Sequence, residues 1–381
     1  MTAGPHSRYT MGVEFRTAAG IPTARRIDHF AFTVPRLDEA VDFMTRLLGG
    51  ELVYRLPPLG HADDWMAEHL DVHPRASAEI ALVRLGPTAN VELFQYEAPD
   101  QVTRAPRPQD IGAHHFGLLV RDVDLALAHL SAETEVLDGV RTVPSGEPHA
   151  GTRWVRVLTP WGMPIELRST PATLPYESTT AARRFPGAAH WSNREDDAPQ
   201  RPAVPTALGV DHLAYTVADL DAAVAFCTEA LGAKLLYRHA TPDLTVDARG
   251  RALGVPGTGR ARTAALRLGP TDNLELWSFE VPGALERPPR NSDVGGRHLA
   301  LYVDDVDEAA RYLLAVPGVA MLGTPESITE GPIAGDRWVY LRTPIGLHLE
   351  LVNMPDGSLP YERTTTARRR AVRDDQWSAP A

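Results

Sequence analysis

The chain has 381 residues, of which 43% are hydrophobic and 23% charged, a composition that supplies core for two globular domains. Its formal net charge of −11 argues against nucleic acid or an anionic membrane as partner. No apolar run is long enough to span a bilayer, and residues 1–26 lack the apolar centre of a secretory signal, so the expected address is cytoplasmic.

After this N-terminal arm, 27–34 is β-branched and aromatic and reads as a strand. Residues 37–48 carry apolar side chains at helical spacing, with Asp38 near the start and Gly49 and Gly50 as the stop. Strands follow at 51–55, 79–85 and 90–96, the last two joined by the turn Gly86, Pro87, Thr88. The insertion 56–78 includes 63–70, which can form a short capped helix; it is either a binding loop or a surface excursion. A second module of the same order begins at His114 and ends near 168. A third (210–280, with an insertion at 239–262) and a fourth (297–353) repeat the pair.

The repeat has a fixed register. His29 and His212, Tyr54 and Tyr237, Glu92 and Glu275, and His115 and His298 are each 183 residues apart, and Glu166 and Glu350 are 184 apart. An internal duplication follows. Leu174 to Glu177 recurs at Leu359 to Glu362, and the Thr/Ala/Arg run ending at Arg184 recurs ending at Arg369. The expected organisation is an arm at 1–26, a first domain at 27–177, a linker at 178–208, a second domain at 209–362 and a tail at 363–381.

Rare residues narrow the chemistry. Cys227 is the only cysteine, which excludes intrachain disulfides and thiolate clusters, and it reads as a buried packing residue. Lys234 is the sole lysine, a weak basis for a Schiff base. The pair Gly257 and Gly259 reads as a flexible loop. More informative are the histidines on the first strand of each module. On an alternating strand His29 shares its face with Ala31 and Thr33, and His212 with Ala214 and Thr216, small neighbours that leave room for a ligand. Glu92 and Glu275 sit in apolar strands, where a carboxylate needs a partner. A single such histidine is ordinarily a core residue and a single such glutamate is held by an arginine. Four of each at matching positions favour a divalent cation instead, and imidazole with carboxylate suits Fe, Mn, Co, Ni or Zn. Whether both quartets work or one is a relic stays open.

A strand–helix–three-strand unit with His on its first strand and Glu on its last resembles the vicinal oxygen chelate superfamily. Its members include glyoxalase I, extradiol dioxygenases and bleomycin-resistance proteins. The resemblance covers 27–177 and 210–362 and implies an α+β, glyoxalase-like fold: four βαβββ modules pairing into two curved mixed sheets. It implies one site at His29, Glu92, His115 and Glu166 and another at His212, Glu275, His298 and Glu350, with one divalent metal per site and up to two per chain. His115, not His114, falls in the ligand column. Four retained ligands resemble the isomerases of the family. That implies proton abstraction beside a carbonyl of a small polyhydroxylated ketone or cyclitol through an enediolate, with Glu166 and Glu350 as bases. The alternatives are an Fe(II) extradiol-type dioxygenase and a non-catalytic binding or resistance protein.

The halves differ at His348, where the first has Pro164, and at Tyr302, where it has Leu119. Both differences point to the second half as the working site, His348 and Tyr302 orienting or protonating substrate; simple packing is the other reading. Trp154 and Trp338 are expected in the core, and Arg153 and Arg337 at the surface. The arginines at 183–184 and 368–370 would cap an acidic surface or a neighbouring subunit. The partner is a small-molecule substrate, and the halves either form a tandem pair or bridge to another chain as a homodimer.

Overall fold

The computed structural model describes residues 20–369, except 195–197, 246–248, 256–257 and 355–358, together with Trp377. Most of the expected arm, Gly257 of the glycine pair and most of the tail lie outside the described residues.

Module one comprises β1 (Ala24–Thr33), α1 (Leu37–Asp42, continued by a π-turn at Phe43–Leu47), β2 (Glu51–Gly60), α2 (Trp65–Leu70), β3 (Ser77–Leu85) and β4 (Ala89–Glu97). Module two is β5 (His114–Val120), α3 (Val123–Leu130), the short β6 (Glu135–Val136) and β7 (Arg141–Thr142), then β8 (Arg153–Leu158) and β9 (Pro164–Ser169). Module three has β10 (Ala207–Thr216), α4 (Leu220–Ala225), β11 (Lys234–Thr241), α5 (Arg249–Leu253), β12 (Arg260–Leu268) and β13 (Asp272–Glu280). Module four is β14 (Arg297–Val303), α6 (Val306–Leu314), β15 (Ala320–Ser327), β16 (Arg337–Arg342) and β17 (His348–Asn353). In α3 and α4 the aspartate before the helix accepts two backbone N–H groups, Asp122 and Asp219 acting as caps.

The modules do not pair within each half. One sheet runs β15-β16-β17-β14-β1-β4-β3-β2, joining module four to module one; the other joins module three to module two as β11-β12-β13-β10-β5-β9-β8-β6. Strands β1 and β14 meet antiparallel, as do β5 and β10, while each first strand runs parallel to the last strand of its own module. The halves 27–177 and 209–362 are thus repeats of sequence, whereas each sheet draws one module from each.

Alternation along the first strands separates chemistry from core. Phe30 and Phe32 of β1 enter the apolar core, where Phe30 meets Phe116 of β5 at 5.5 Å between ring centroids. His29 and Ala31 point the other way, into the curl of the sheet. Between Ile27 and His29 the pairing with β14 slips by one residue, and the same slip recurs between Val210 and His212. Such a bulge re-aims its side chain, so Asp28 and Asp211 reach the histidines that follow them.

The segments after each half are structural. Trp191 is 2% exposed and packs over Gly86, and Trp377 lies against Gly20 and Gly269 with its Nε1 donating to the Leu231 carbonyl at 2.6 Å. Cys227 is buried in the main core. No helix among the described residues is long and apolar enough to cross a membrane.

Candidate metal centre and its sister cavity

Because the sheets exchange modules, the expected quartets exchange partners. His29 (β1), Glu92 (β4), His298 (β14) and Glu350 (β17) converge in one sheet, all buried, with one ligand atom from each within 4.8 Å of the others. His29 Nε2 is 3.1 Å from His298 Nε2, 3.1 Å from Glu92 Oε2 and 3.1 Å from Glu350 Oε2. His298 Nε2 is 3.4 Å from Glu92 and 3.2 Å from Glu350. Neither expected grouping, His29 and Glu92 with His115 and Glu166, or His212 and Glu275 with His298 and Glu350, occurs. Neither half holds a quartet alone, so the second half by itself is not the working site.

This first cluster fits a divalent cation. Donors at 2.0–2.2 Å from one ion stand about 3 Å apart when at right angles, which is the spacing seen. The electrostatics agree. Burial alone would raise Glu92 and Glu350, yet His29 and His298 hold Glu92 well below the ordinary carboxylate range and lower Glu350 as well. Burial alone would lower His29, but Glu92 and Glu350 hold it well above the ordinary imidazole value. With only side chains present, the carboxylates draw a proton onto an imidazole; a metal ion answers the same demand with two charges.

The outer contacts orient the donors. Asp28 accepts from His29 Nδ1 at 2.8 Å, which turns Nε2 toward the cluster. Arg369, 2% exposed, donates from Nε to Asp28 at 2.7 Å and also pairs with Asp336. The second sheet repeats the relay with Arg184, Asp211 and His212. Of the arginines expected to cap an acidic surface, Arg184 and Arg369 instead stand behind the first histidine of each cluster, whereas Arg183 and Arg368 pair with Glu177 and Glu362 and Arg370 lies outside the described residues. Composition gave no signal for this, since the contact spans 341 residues.

A cavity of about 520 Å³ opens over the first cluster, and Glu92 and Glu350 lie at its floor. Its walls include Leu56, Ile80, Phe94, Ile333 and Trp338, with the Tyr340 hydroxyl 3.1 Å from His298 Nδ1. The insertion 56–78 supplies one wall: Trp65 of α2 stacks between His61 and His69 at 4.2 and 4.6 Å. Trp338 and Trp154 line the two cavities, which corrects their expected place in the core. Arg153 and Arg337 behave as expected, pairing with Asp124 and Asp307 on the outer helices. Two proposed catalytic side chains stand outside the cavity lining. His348 Nε2 lies 3.1 Å from Asp71, and the Tyr302 ring sits under Arg26 at 4.7 Å. Sequence reasoning missed Tyr340, which differs from its repeat counterpart Arg156 and was open to that comparison.

The second sheet carries the sister cluster, with His115 of β5, Glu166 of β9 and His212 of β10 within 4.8 Å of one another. Glu275 of β13 stands aside, its Oε2 3.8 Å from His212 Nε2. Two buried arginines enter this cluster. Arg156 donates to Glu166 Oε2 at 3.0 Å and to His115 Nε2 at 3.2 Å; Arg168 bonds Glu166 Oε1 at 2.7 Å and Glu275 Oε1 at 2.6 Å. Burial would raise Glu166, but Arg168 and Arg156 hold it low, while burial and Arg156 push His115 well below its usual value. His114 lies outside the cluster with its ring against Phe32, so His115 is the residue that faces inward.

Paired βαβββ modules curled over inward-facing His and Glu define a glyoxalase-like architecture. The Glyoxalase/Bleomycin resistance protein/Dioxygenase superfamily profile matches residues 26–167 and 209–349, and the chain belongs to that superfamily. It is 54% identical over 165 residues to a protein named 2-epi-5-epi-valiolone epimerase from Actinomyces sp., a match covering 43% of this chain and 89% of that one. Glyoxalase I from Zea mays shares the fold at a TM-score of 0.53 and 18% identity, over 87% of this chain and 92% of that one. A putative dioxygenase from Bacillus subtilis does so at 0.53 and 14%, over 88% and 87%.

Proposed function

We propose that this chain is a divalent-metal-dependent epimerase acting beside a carbonyl of a small polyhydroxylated ketone or cyclitol, in the cavity above His29, Glu92, His298 and Glu350. The observation that carries the reading is the convergence of these four donors, whose carboxylates are held low by His29 and His298 and, among the described residues, not by an arginine of the kind that fills the sister cluster. The Actinomyces relative, whose name describes an epimerase of 2-epi-5-epi-valiolone, supports the reaction type.

A cation bound by the four side chains would act as a Lewis acid on the substrate carbonyl and its neighbouring hydroxyl. The remaining steps belong to the chain. Glu92 and Glu350 enter the cavity from β4 and β17, strands that occupy matching positions on opposite sides of the β1–β14 seam. One carboxylate removes the proton from the carbon beside the carbonyl, leaving an enediolate. The other, after taking a proton from solvent, delivers it to the opposite face, and the proton held by the first carboxylate passes back to solvent, so configuration inverts and no electron is gained or lost. Glu350 takes the first proton in the assignment we favour. Tyr340, beside His298 and wholly buried, stays protonated and donates a hydrogen bond to the substrate oxygen.

The retained second carboxylate favours this reading over a dioxygenase, whose iron uses two histidines and one carboxylate. Solvent-deuterium incorporation into 2-epi-5-epi-valiolone, followed under nitrogen, tests it. Exchange should persist without oxygen, vanish after chelation, and fall at least 10²-fold in Glu350→Gln. Exchange that needs oxygen, or survives thorough chelation, refutes it.

A further inference from the structure

We propose that the sister cavity on the second sheet holds no metal and is instead a separate binding site for a neutral, polyhydroxylated small molecule. This goes beyond the epimerase reading and does not depend on it.

The ligand positions there do not fit a cation. Both oxygens of Glu166, one oxygen of Glu275 and Nε2 of His115 already accept from Arg156 or Arg168. A divalent ion placed among them would lie beside two buried guanidiniums and compete with both. The matching residues on the first sheet, one repeat away, are Tyr340 for Arg156 and Val352 for Arg168, neither of them cationic. The substitutions therefore exchange an ion's charge for two arginines at the donors themselves.

Metal loss has not closed the cavity. It keeps a volume of about 530 Å³, close to the first, and its walls have turned polar. Where the first cavity has Leu56, Ile80 and Ile333, this one has His239, Thr263 and His149. A wall that had merely decayed would gain polar groups that satisfy one another. Here three buried polar atoms on the lining residues have no hydrogen-bond partner among the described residues: Glu275 Oε2, His149 Nδ1 and Trp277 Nε1. The glutamate is 4% exposed, and leaving such an atom unpaired costs about 1–3 kcal/mol. A ligand offering hydroxyl donors and acceptors satisfies all three.

Charge selects the class. Arg156 and Arg168 are balanced by Glu166 and Glu275; farther out Arg249 pairs with Glu147 at 3.0 Å and Arg141 with Asp138 at 2.7 Å. Every guanidinium on the lining is matched by a carboxylate, so an anion or a cation would enter without a counter-charge. The indoles of Trp154 and Trp277 flank Arg156 at 5.8 and 5.4 Å and offer flat apolar area for ring C–H groups. Matched donors and acceptors beside aromatic faces suit an uncharged cyclitol or sugar ring.

The test uses the full-length chain with His29→Ala and His298→Ala, which removes the first cluster, and titrates it with myo-inositol, D-glucose, 2-epi-5-epi-valiolone and inorganic phosphate. Calorimetry should show one saturable site for at least one of the neutral polyols and none for phosphate. Elemental analysis of the unaltered chain should show one metal, not two. His149→Ile with His239→Leu, the first cavity's own residues, should weaken polyol binding at least tenfold and leave deuterium exchange by the otherwise unaltered enzyme unchanged. Trp277→Phe, which keeps an aromatic face but swaps the indole for a smaller ring without the N–H, provides a second, milder variant. A second metal per chain, tighter binding of phosphate than of any polyol, or no saturable polyol site in the cluster-deficient chain would each overturn the proposal. Absence of exchange activity with polyol binding intact would instead count against the epimerase reading alone.

Discussion

Arg369→Met removes the guanidinium that anchors the first cluster from behind. Asp28 is wholly buried and receives Arg369 Nε at 2.7 Å; Asp336 shares the same guanidinium and, under the pressure of burial, is already pushed up to about 6. Without the arginine, Asp336 takes up a proton and the uncompensated charge falls on Asp28. Breaking a buried pair from one side costs about 3–5 kcal/mol, and urea denaturation of the metal-free protein should show a loss of that size. The second effect is more specific. An Asp28 that is protonated or displaced no longer holds His29 Nδ1, and loss of such an outer contact weakens metal binding by about 10–100-fold. Competition with a chromogenic chelator measures it. Arg184→Met is the matched control: it unpairs Asp211 on the second sheet, where Arg168 stands 3.5 Å away and softens the loss. It should cost less stability and leave metal affinity unchanged. Equal effects of the two variants on the metal, or affinity within twofold of the parent in Arg369→Met, would refute the relay.

Introducing the sister cluster's arginines into the first, as Tyr340→Arg with Val352→Arg, should take bound metal from one per chain to none, read by elemental analysis. Metal added at a thousandfold excess over its dissociation constant should stabilise the chain by about 4 kcal/mol, and the gain should be absent in His29→Ala with His298→Ala. Gly117→Ala should destabilise by about 1–3 kcal/mol without touching metal affinity, because a Cβ there comes within 2.2 Å of the His212 ring. Burial pushes the Cys227 thiol up to about 12, so disulfide reagents at pH 8 should not modify it until the chain unfolds.

The elements and the eight inward-facing side chains were legible because each rests on a local signal. Alternation puts His29 opposite Phe30, and one register of repeat ties Glu92 to Glu275. Partnership was not legible. Pairing modules one and two, or one and four, gives the same ligand composition, and only the antiparallel seams of β1 with β14 and β5 with β10 decide between them. His348 and Tyr302 were chosen for being on the right strands, yet each finds a nearer charged neighbour, Asp71 or Arg26, away from the cavity. The decisive asymmetry was in plain view: Arg-Trp-Val-Arg156 against Arg-Trp-Val-Tyr340, and Arg168 against Val352. A comparison of the halves at the residues beside each glutamate, rather than at the glutamates, would have exposed it.

The nesting of one module pair inside the other sets an order of assembly. Modules two and three are neighbours along the polypeptide and can meet as soon as β13 has left the ribosome, whereas His29 must wait for His298, 269 residues downstream, and then for Glu350. Closing the inner pair first shortens the span the outer pair has to bridge and lowers its entropic cost. A nascent chain would thus form the arginine-filled chamber early and bring His29, Glu92, His298 and Glu350 together only with the last strand.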